Sequence, residues 1–423
     1  MNAPLRLADL TARTILDSRG YPTLEARARL ADGTMLRAAA PAGASTGAHE
    51  AVELRDHDEA YSGRGVRAAV AGVHERIAPL LTGHDWPDLA SLDRALAQAD
   101  GTGEYSRLGA NAVVAVSMLA ARGFAHAAGL SLHEWIARAS GARERLPVPH
   151  FNVLNGGAHA ANDLEFQEFM IAPVAAGSEE NAVRIGAEVY HALAALVRRR
   201  FGSSGLGDEG GFAPPVSDPR AALDLLVEAI TDAGYPPGVA QVAIALDPAA
   251  NSFHLGDGRY RINGIELDRT GLVDYYLGLL EDYPIRSLED GFAEDDPGGW
   301  IALACAAGGR VQLVGDDLYV TDPARIRAGF EAGYSDAALI KPNQIGTVSQ
   351  TLEAIRTAHE LGMACMISHR SGETWDPFIA DLAVGTGAGQ LKSGAPARGE
   401  RVAKYNRLTE IELDHPGLPY GVQ

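Results

Sequence analysis

Cysteine and positive charge are both scarce in this chain of 423 residues. Its two cysteines, Cys305 and Cys365, lie in apolar stretches, so we expect buried, unreactive thiols that form neither a disulfide nor a zinc site. Acidic residues number 55 against 36 lysines and arginines, a formal net charge of −19. This excess argues against nucleic acid and anionic membranes as partners, although a metal ion or a local basic cluster still permits a small anionic substrate.

Targeting segments and several common enzyme motifs are also missing. The N-terminal stretch MNAPLRLADLT lacks a basic segment followed by an apolar one, and the longest apolar run, residues 108–121, is too short to span a bilayer. We therefore expect a cytoplasmic protein. A P-loop, HExxH and CxxC are absent from the sequence, which removes the usual signatures of nucleotide hydrolysis and zinc proteolysis.

Apolar residues make up 46% of the chain, enough for a large core, and their pattern changes near residue 140. Residues 12–40 alternate apolar and charged side chains around Asp32-Gly33, which predicts a β-hairpin, and the small, glycine-bearing segment 41–47 predicts a mobile loop. Four apolar residues then recur at helical spacing: Val66, Val70, Val73 and Ile77. We expect an α+β domain over residues 1–140.

Residues 141–423 contain repeated short apolar runs, each followed by a polar residue and a helical pattern. The runs are 169–174, 242–246, 285–288, 311–314, 337–340, 365–367 and 389–391. Six ionisable residues stand at their ends: Asp247, Glu289, Asp316, Lys341, His369 and Lys392. Most of them are about 25 residues apart, close to the roughly 30 residues of one strand with its crossover helix. The spacing predicts eight parallel strands closed into a TIM-like α/β barrel, with these side chains together at one face.

Three of these residues are carboxylates that would repel one another at neighbouring strand ends. They are Asp247, Glu289 and Asp316. A hard divalent ion would relieve the repulsion, and an all-oxygen set suits Mg²⁺, whereas separate surface salt bridges are the alternative. Lys341 emerges from an apolar strand towards this site, where burial and a nearby cation would disfavour its charged form. It is either a general base or a structural partner of the carboxylates.

Other segments carry groups suited to anion binding or proton transfer. His369, Arg370 and Ser371 combine an imidazole, a guanidinium and a hydroxyl, which predicts an anion clamp. Glu209 lies between glycines in GLGDEGGFAP, where a carboxylate can approach a ligand closely. The remaining candidates follow another glycine-rich loop and are His159, Gln167 and Glu168.

Long stretches of the chain, from about residue 12 to residue 412, resemble the enolase family. They include DSRGYPT, PAGASTGAHEAVELRD, NVLNGGAHA, GDEGGFAPP, SLEDGFAEDD, LVGDDLYVTDP, LIKPNQIGT, ISHRSGET and GAPARGERVAKYN. The resemblance implies an N-terminal α+β domain that caps the barrel, and a homodimer or higher homo-oligomer. It also implies Mg²⁺-dependent elimination of water from 2-phosphoglycerate, a small anionic phosphorylated substrate, to give phosphoenolpyruvate.

The same resemblance implies a role for each candidate residue. Lys341 would remove the proton alpha to the carboxylate, Glu209 would be the acid that helps to expel the β-hydroxyl, and Glu168 would be its acidic partner. Lys392 would face the substrate carboxylate. The ligands of the first of two Mg²⁺ ions would be Asp247, Glu289 and Asp316. The other substrate-binding residues would be His159, Gln167, His369, Arg370 and Ser371.

The chain also departs from the family pattern near loops that would close on substrate. Ala42 stands where the family has a serine that contributes to the second Mg²⁺, so this hydroxyl ligand is missing. Other departures are Tyr21, Ala158, Trp375 and the pair His150-Phe151. They leave open a specialised paralogue that acts on a modified phosphorylated or phosphonate substrate, similar to carboxyphosphonoenolpyruvate synthase. A non-catalytic scaffold on the same fold is the third hypothesis.

Overall fold

The structure, a computed structural model, describes residues 4–43 and 47–421. Residues 44–46, inside the segment predicted as a mobile loop, lie outside the described residues. The strands are β1 Leu5–Leu16, β2 Pro22–Leu30, β3 Met35–Ala39, β4 Asp85–Trp86, β5 Val148–Asn155, β6 Glu168–Pro173, β7 Gly205–Leu206, β8 Phe212–Ala213, β9 Val242–Asp247, β10 His254–Gly256, β11 Arg259–Ile262, β12 Ile265–Asp268, β13 Ile285–Glu289, β14 Gln312–Gly315, β15 Ala337–Ile340, β16 Ala364–Ser368 and β17 Gln390–Lys392.

The α-helices include a long buried one in the N-terminal region and a series that surrounds the barrel. They are α1 Arg67–Gly72, α2 Ala78–Leu81, α3 Leu89–Asp100, α4 Ala110–Ala127, α5 Leu132–Ser140, α6 Glu179–Phe201, α7 Pro219–Asp232, α8 Arg269–Asp282, α9 Pro297–Ala307, α10 Pro323–Ala332, α11 Pro342–Ile345, α12 Val348–Glu360, α13 Phe378–Thr386 and α14 Gly399–Asp414. Many of the outer helices begin at a side chain that accepts a hydrogen bond from the first turn, which explains their starting points. These caps are Ser178, Asp218, Asp268, Asp296, Asp322 and Thr347.

The N-terminal region is an antiparallel sheet, in the order β3-β2-β1-β4, packed against α4. The predicted hairpin is present, and β1 extends it to a three-stranded meander that begins at Leu5. The predicted helical face is also confirmed, because Val66, Val73 and Ile77 are buried, although a π-helical turn at Val73–Ile77 separates α1 from α2. The region packs on the barrel through Ala42, whose amide donates to the Gly372 carbonyl at 2.7 Å.

Within the described residues, eight strands close into a barrel in the order β5-β6-β9-β13-β14-β15-β16-β17, since β17 also pairs with β5. The seven predicted runs all form strands of this barrel, to within one or two residues at their ends. The excursion expected after Asp247 is a small sheet, β10 to β12. The family's barrel fold is therefore confirmed.

One strand departs from the predicted parallel arrangement. β6 runs antiparallel to both of its neighbours, β5 and β9. The connection from β5 to β6, which the structure describes in full, contains no α-helix that could carry the chain back across the barrel, so the chain returns beside β5 in the opposite direction. The reversal brings Glu168, the first residue of β6, opposite Asp247, the last residue of β9. The expectation of eight parallel strands was wrong in this strand.

The two cysteines differ in environment. Cys365 is buried in β16, where burial raises the pKa of its thiol to about 12. Cys305 is exposed, contrary to expectation, because α9 is apolar around most of its surface but presents this position to solvent. Among the described helices, none alone has the length and apolar character needed to cross a membrane, while the sharply bent pair α4 and α5 together meets that criterion.

Candidate active site

All six ionisable residues predicted at strand ends meet at one mouth of the barrel. Asp247, Glu289 and Lys392 are the last residues of β9, β13 and β17, and the other three follow β14, β15 and β16 within a residue or two. The reversed strand β6 adds Glu168 to the same mouth. A small cavity there is lined by His159, Gln167, Glu168, Glu209, Asp247, Asp316, Lys341, Ser368, His369, Arg370, Ser371 and Lys392.

Two lysines hold the carboxylates of this mouth together. Lys392 Nζ lies 2.7 and 2.8 Å from the two carboxylate oxygens of Glu289, 3.2 Å from Glu168 Oε2 and 3.6 Å from Asp247 Oδ2. Lys341 Nζ pairs with Asp316 Oδ2. These groups are buried and share partners, so they are not separate surface salt bridges.

Lysine is rare in this chain, and the side chains of all three lysines are largely buried at or near the barrel mouth. The sequence contains only Lys341, Lys392 and Lys404, and all other basic residues except histidine are arginine. Lys404 is also buried and donates to Glu373 Oε2, at 2.8 Å, in the loop after Arg370. Unlike arginine, a buried lysine can lose its proton. The scarcity of lysine was a signal for the site that the sequence analysis did not use.

The ionisation of the metal-ligand candidates reflects this crowding. Burial, with neighbouring Glu168 and Asp316, raises the pKa of Asp247 to about 7, and burial with Asp247 raises the pKa of Glu289 well above its usual range. Burial also acts to raise the pKa of Asp316, but the charges of Lys341 and Lys392 together outweigh this effect, so the pKa of Asp316 lies below its usual value. Such acids gain from any added positive charge.

Lys341 differs from its predicted ionisation. Burial, the largest single influence, lowers the pKa of Lys341, as expected, but the carboxylates around the amine, Asp316 above all, together outweigh it, so the pKa lies above the ordinary value for lysine. The expectation of a disfavoured charge was therefore wrong for this arrangement of side chains. The physical reason is that the amine faces the carboxylate directly.

The three carboxylates suit Mg²⁺ by their chemistry, because they are buried oxygen donors from adjacent strand ends. Within the described part of the chain, however, the groups whose ligand-type atoms lie within 4.8 Å of one another are Asp290 with Asp316 and Asp317, and His159 with Glu168 and Glu209. Asp290 was missed by the sequence analysis. Both of its oxygens accept backbone hydrogen bonds, from the amides of Asp316 and Asp317 at 2.9 Å, so it orders the loop that carries Asp316.

Glu209 is surrounded by one amide and two imidazoles. Asn152 Nδ2 donates to Glu209 Oε2 at 2.9 Å, His369 Nε2 lies 3.1 Å from the same oxygen, and His159 Nδ1 lies 3.5 Å from Oε1. Burial raises the pKa of Glu209, but His369 and His159 lower it by more, to well below its usual range. By contrast, burial and the Glu209 charge raise the pKa of Glu168 to about 8. The proton of this acid pair therefore resides on Glu168 at neutral pH.

The three residues predicted to form an anion clamp line the same cavity, and Arg370 is held from the N-terminal region. Arg370 Nη1 and Nη2 donate to the two carboxylate oxygens of Glu50, at 2.8 and 3.2 Å, and Nη1 also donates to Asn343 Oδ1 at 3.1 Å. Ser371 is buried beside it, and Gln167 Nε2 lies 3.4 Å from Asp247 Oδ2. Glu50 was missed because a lone glutamate far from the barrel in sequence carries no pattern.

The departures from the family pattern fall into two environments. Ala158 is exposed, and Trp375 is 74% exposed with its ring lying directly against Gly399. Ala42 is buried, and its carbonyl oxygen accepts from the Gly372 amide at 2.9 Å. His150 is buried opposite Lys392 in the barrel wall, where burial lowers the pKa of the imidazole to about 4.

Comparison with known proteins gives two family matches. The model of the enolase N-terminal domain matches residues 7–136, and that of the enolase C-terminal TIM barrel domain matches residues 143–416. The chain is 53% identical over 401 residues to an enolase of Acidothermus cellulolyticus, which covers 95% of this chain and 92% of the relative. It is 51% identical over 406 residues to an enolase of Mycobacteroides abscessus, which covers 96% and 94% respectively.

Proposed function

Because this chain belongs to the enolase family, we infer that it is a hydro-lyase that converts 2-phosphoglycerate to phosphoenolpyruvate, a step of glycolysis. Identities of 51% and 53% to enolases over nearly the whole chain favour this reaction over the phosphonate-pathway alternative. A scaffold has no use for buried charges that repel one another, so the retained acids and lysines argue against the third hypothesis. The roles of individual residues rest on one observation, the contact of two lysines with buried carboxylates at the barrel mouth.

We propose that Asp247, Glu289 and Asp316 hold Mg²⁺, on which enolases generally depend. The support is the donor set itself, three buried carboxylates on adjacent strand ends, two of them with a raised pKa. When bound, the ion would supply positive charge beside the substrate carboxylate as negative charge accumulates there. A second Mg²⁺ remains an expectation from the family, and Ala42 offers it no side-chain oxygen.

Lys341 is the proposed base. Its amine would take the proton from the carbon next to the substrate carboxylate, for which it must be neutral. The ion pair with Asp316 favours the charged amine, so Asp316 has to be engaged elsewhere before Lys341 can act. Lys392 would face the substrate carboxylate, where its charge opposes the charge that develops on proton removal.

Glu168 and Glu209 would act together as the acid. We propose that the proton held by Glu168 passes to Glu209 and from there to the departing hydroxyl, so that the carbon–oxygen bond breaks and water leaves. Their oxygens lie within 4.8 Å, a gap that one water molecule can bridge. The phosphate and hydroxyl ends of the substrate would be bound by His159, Gln167, His369, Arg370 and Ser371.

The proposal is tested with purified protein, Mg²⁺ and 2-phosphoglycerate. Phosphoenolpyruvate should form at an ordinary enzymatic rate, with kcat on the order of 1–1,000 s⁻¹, and a chelator should abolish it. Solvent-deuterium exchange at the alpha carbon with little net product would instead support a modified substrate. Absence of both exchange and turnover would leave the scaffold hypothesis.

We further propose a cytoplasmic homodimer or higher homo-oligomer. A groove of about 820 Å³ between β1, β3 and residues 373–377 gathers three exposed apolar side chains, which favours it as the contact surface. They are Leu16, Met35 and Trp375. Light scattering should give the mass of at least two chains. The division into residues 1–140 and 141–423 stays a prediction.

A further inference from the structure

Arg401, a residue that the sequence analysis did not single out, connects the loops that carry Glu209 and the anion clamp. It lies in the first turn of α14 and is inaccessible to solvent. Its two terminal nitrogens donate to backbone carbonyl oxygens, which fixes the guanidinium plane. These acceptors are Asp208 O at 3.2 Å, Arg370 O at 2.6 Å and Ser371 O at 2.5 Å.

Besides weaker contacts with Ser18 Oγ, at 3.4 Å, and Glu400 Oε1, at 3.3 Å, the guanidinium contacts His369. Arg401 Nη1 lies 2.5 Å from His369 Nδ1. A guanidinium has five N–H donors, has no acceptor and stays protonated in proteins. The proton between the two nitrogens therefore belongs to Arg401, and Nδ1 of the imidazole supplies the lone pair. The ring proton of neutral His369 must then be on Nε2, which lies 3.1 Å from Glu209 Oε2.

We propose that Arg401 is a positioning residue that fixes His369 as the Nε2–H tautomer, so that the neutral imidazole turns its N–H, not a lone pair, towards Glu209 and favours the ionised form of this carboxylate. The same contact opposes a second proton on His369, because that proton would have to be placed at Nδ1, against the guanidinium.

The charged groups around His369 agree with this assignment. Burial and the Arg401 charge favour neutral imidazole, whereas Glu209 and Glu373 favour imidazolium, and together they lower the pKa of His369 to about 4. Without Arg401, one of the two influences that hold the ring neutral is removed and Nδ1 becomes open to protonation. The ring would then titrate closer to the usual histidine value of about 6.5.

Histidine ¹⁵N NMR tests the tautomer without substrate, so this result does not depend on the proposed function. The signals of His369 are assigned by their loss in His369→Gln. Between pH 5.5 and 8, roughly the range over which an unperturbed histidine titrates, we expect protonated Nε2, unprotonated Nδ1 and no titration. In Arg401→Met the ring should titrate within this range. An Nδ1–H tautomer in the parent protein, or a parent ring that titrates normally, would overturn the proposal.

Arg398→Met is a matched control. Arg398 is exposed and also donates to Asp208 O, at 3.2 Å, but makes neither a hydrogen bond nor an ion pair with His369. Its loss should leave the His369 tautomer unchanged. If Arg401→Met does not fold, the tautomer of the parent protein still decides the question.

The kinetic test rests on the proposed function. In Arg401→Met, kcat for 2-phosphoglycerate should fall by about 100-fold at pH 6 and by less at pH 8, because protonated His369 no longer supports Glu209 in the same way. A loss that is uniform with pH and leaves the tautomer unchanged would mean a merely structural role. If the parent lacks turnover but has the predicted tautomer, the proposed function fails while the assignment to Arg401 stands.

Discussion

On one side of the barrel mouth, the carboxylates of Asp247, Glu289 and Asp316 lie against the amines of two lysines. On the other side, the Glu209 carboxylate lies against an amide and two imidazoles. The two sides differ in the pKa values of their carboxyl groups. On the first side, the pKa of Asp247 is raised even though both lysines act to lower it. On the second side, hydrogen bonds and nearby rings hold the pKa of Glu209 well below its usual range. The carboxylate–lysine side is therefore suited to exchange one cation for another. The Glu209 side is suited to keep one carboxylate ionised at a fixed position.

The largest expected effect comes from removing the shared cation of the carboxylate–lysine side. Lys392→Met leaves Glu289, Glu168 and Asp247 without it, so turnover should fall at least about 1,000-fold. Breaking a buried ion pair should also lower the free energy of unfolding by about 3–5 kcal/mol. Because Mg²⁺ can replace the lost charge, it should raise the melting temperature of the variant more than that of the parent. Near-parent turnover would contradict the comparison.

On the Glu209 side, a substitution of Asn152 should have a smaller effect. Asn152→Leu removes the donor to Glu209 Oε2. A hydrogen bond to a charged group contributes about 1.5–3 kcal/mol, so we expect turnover to fall about 10- to 100-fold. The acidic limb of the pH–rate profile should move to higher pH, since Glu209 then binds a proton more readily. Asn162→Ala is the control. It removes hydrogen bonds to the carbonyl oxygens of Asn155 and Pro214 and should leave the acidic limb in place.

Much of the carboxylate–lysine side could be predicted from sequence, because its residues end buried strands at regular spacing. The direction of β6 could not, because all its residues are buried and no alternation distinguishes its faces. β5 was missed because His150, Asn152 and Asn155 interrupt its apolar pattern, although every residue of the strand is buried. On the Glu209 side, Asn152 and Arg401 act through contacts between distant segments, which spacing does not reveal.

Another buried carboxyl group, that of Glu179, lies outside the site, and in the described part of the chain it has neither a lysine nor a hydrogen-bond donor beside it. Glu179, at the start of α6, is fully buried, and neither of its carboxylate oxygens has a hydrogen-bond partner among residues 4–43 and 47–421. Burial, and then the Glu412 charge, raises its pKa well above 4.5. Because the unfolded chain releases this proton at lower pH than the folded one, Glu179 costs stability as pH rises above about 4.5.

Glu179→Gln should therefore raise the free energy of unfolding by about 1–3 kcal/mol at pH 8 and change it little near pH 4.5. Denaturant unfolding at both pH values measures this difference. Glu180→Gln, at the exposed neighbouring position, is the control. An equal effect of Glu179→Gln at both pH values would show that the buried charge is not the cause.

The smallest expected effect concerns Ala42. Ala42→Ser restores a hydroxyl next to the substrate loops, and it should tighten the weaker phase of Mg²⁺ activation by no more than about tenfold if the second ion binds nearby. Initial rates over a range of Mg²⁺ concentrations measure this. An unchanged Mg²⁺ dependence would mean that the missing hydroxyl does not limit metal binding.

The proposed mechanism depends above all on the amine of Lys341, which would take the proton from carbon. The most direct measurement is exchange of the alpha hydrogen of 2-phosphoglycerate with deuterated solvent by Lys341→Ala, with Mg²⁺ binding followed by calorimetry and Lys404→Met as a second buried-lysine variant. Exchange should be lost in Lys341→Ala while Mg²⁺ still binds, and Lys404→Met should continue to exchange. Exchange that persists in Lys341→Ala, or that fails only because Mg²⁺ no longer binds, would contradict the role proposed for Lys341.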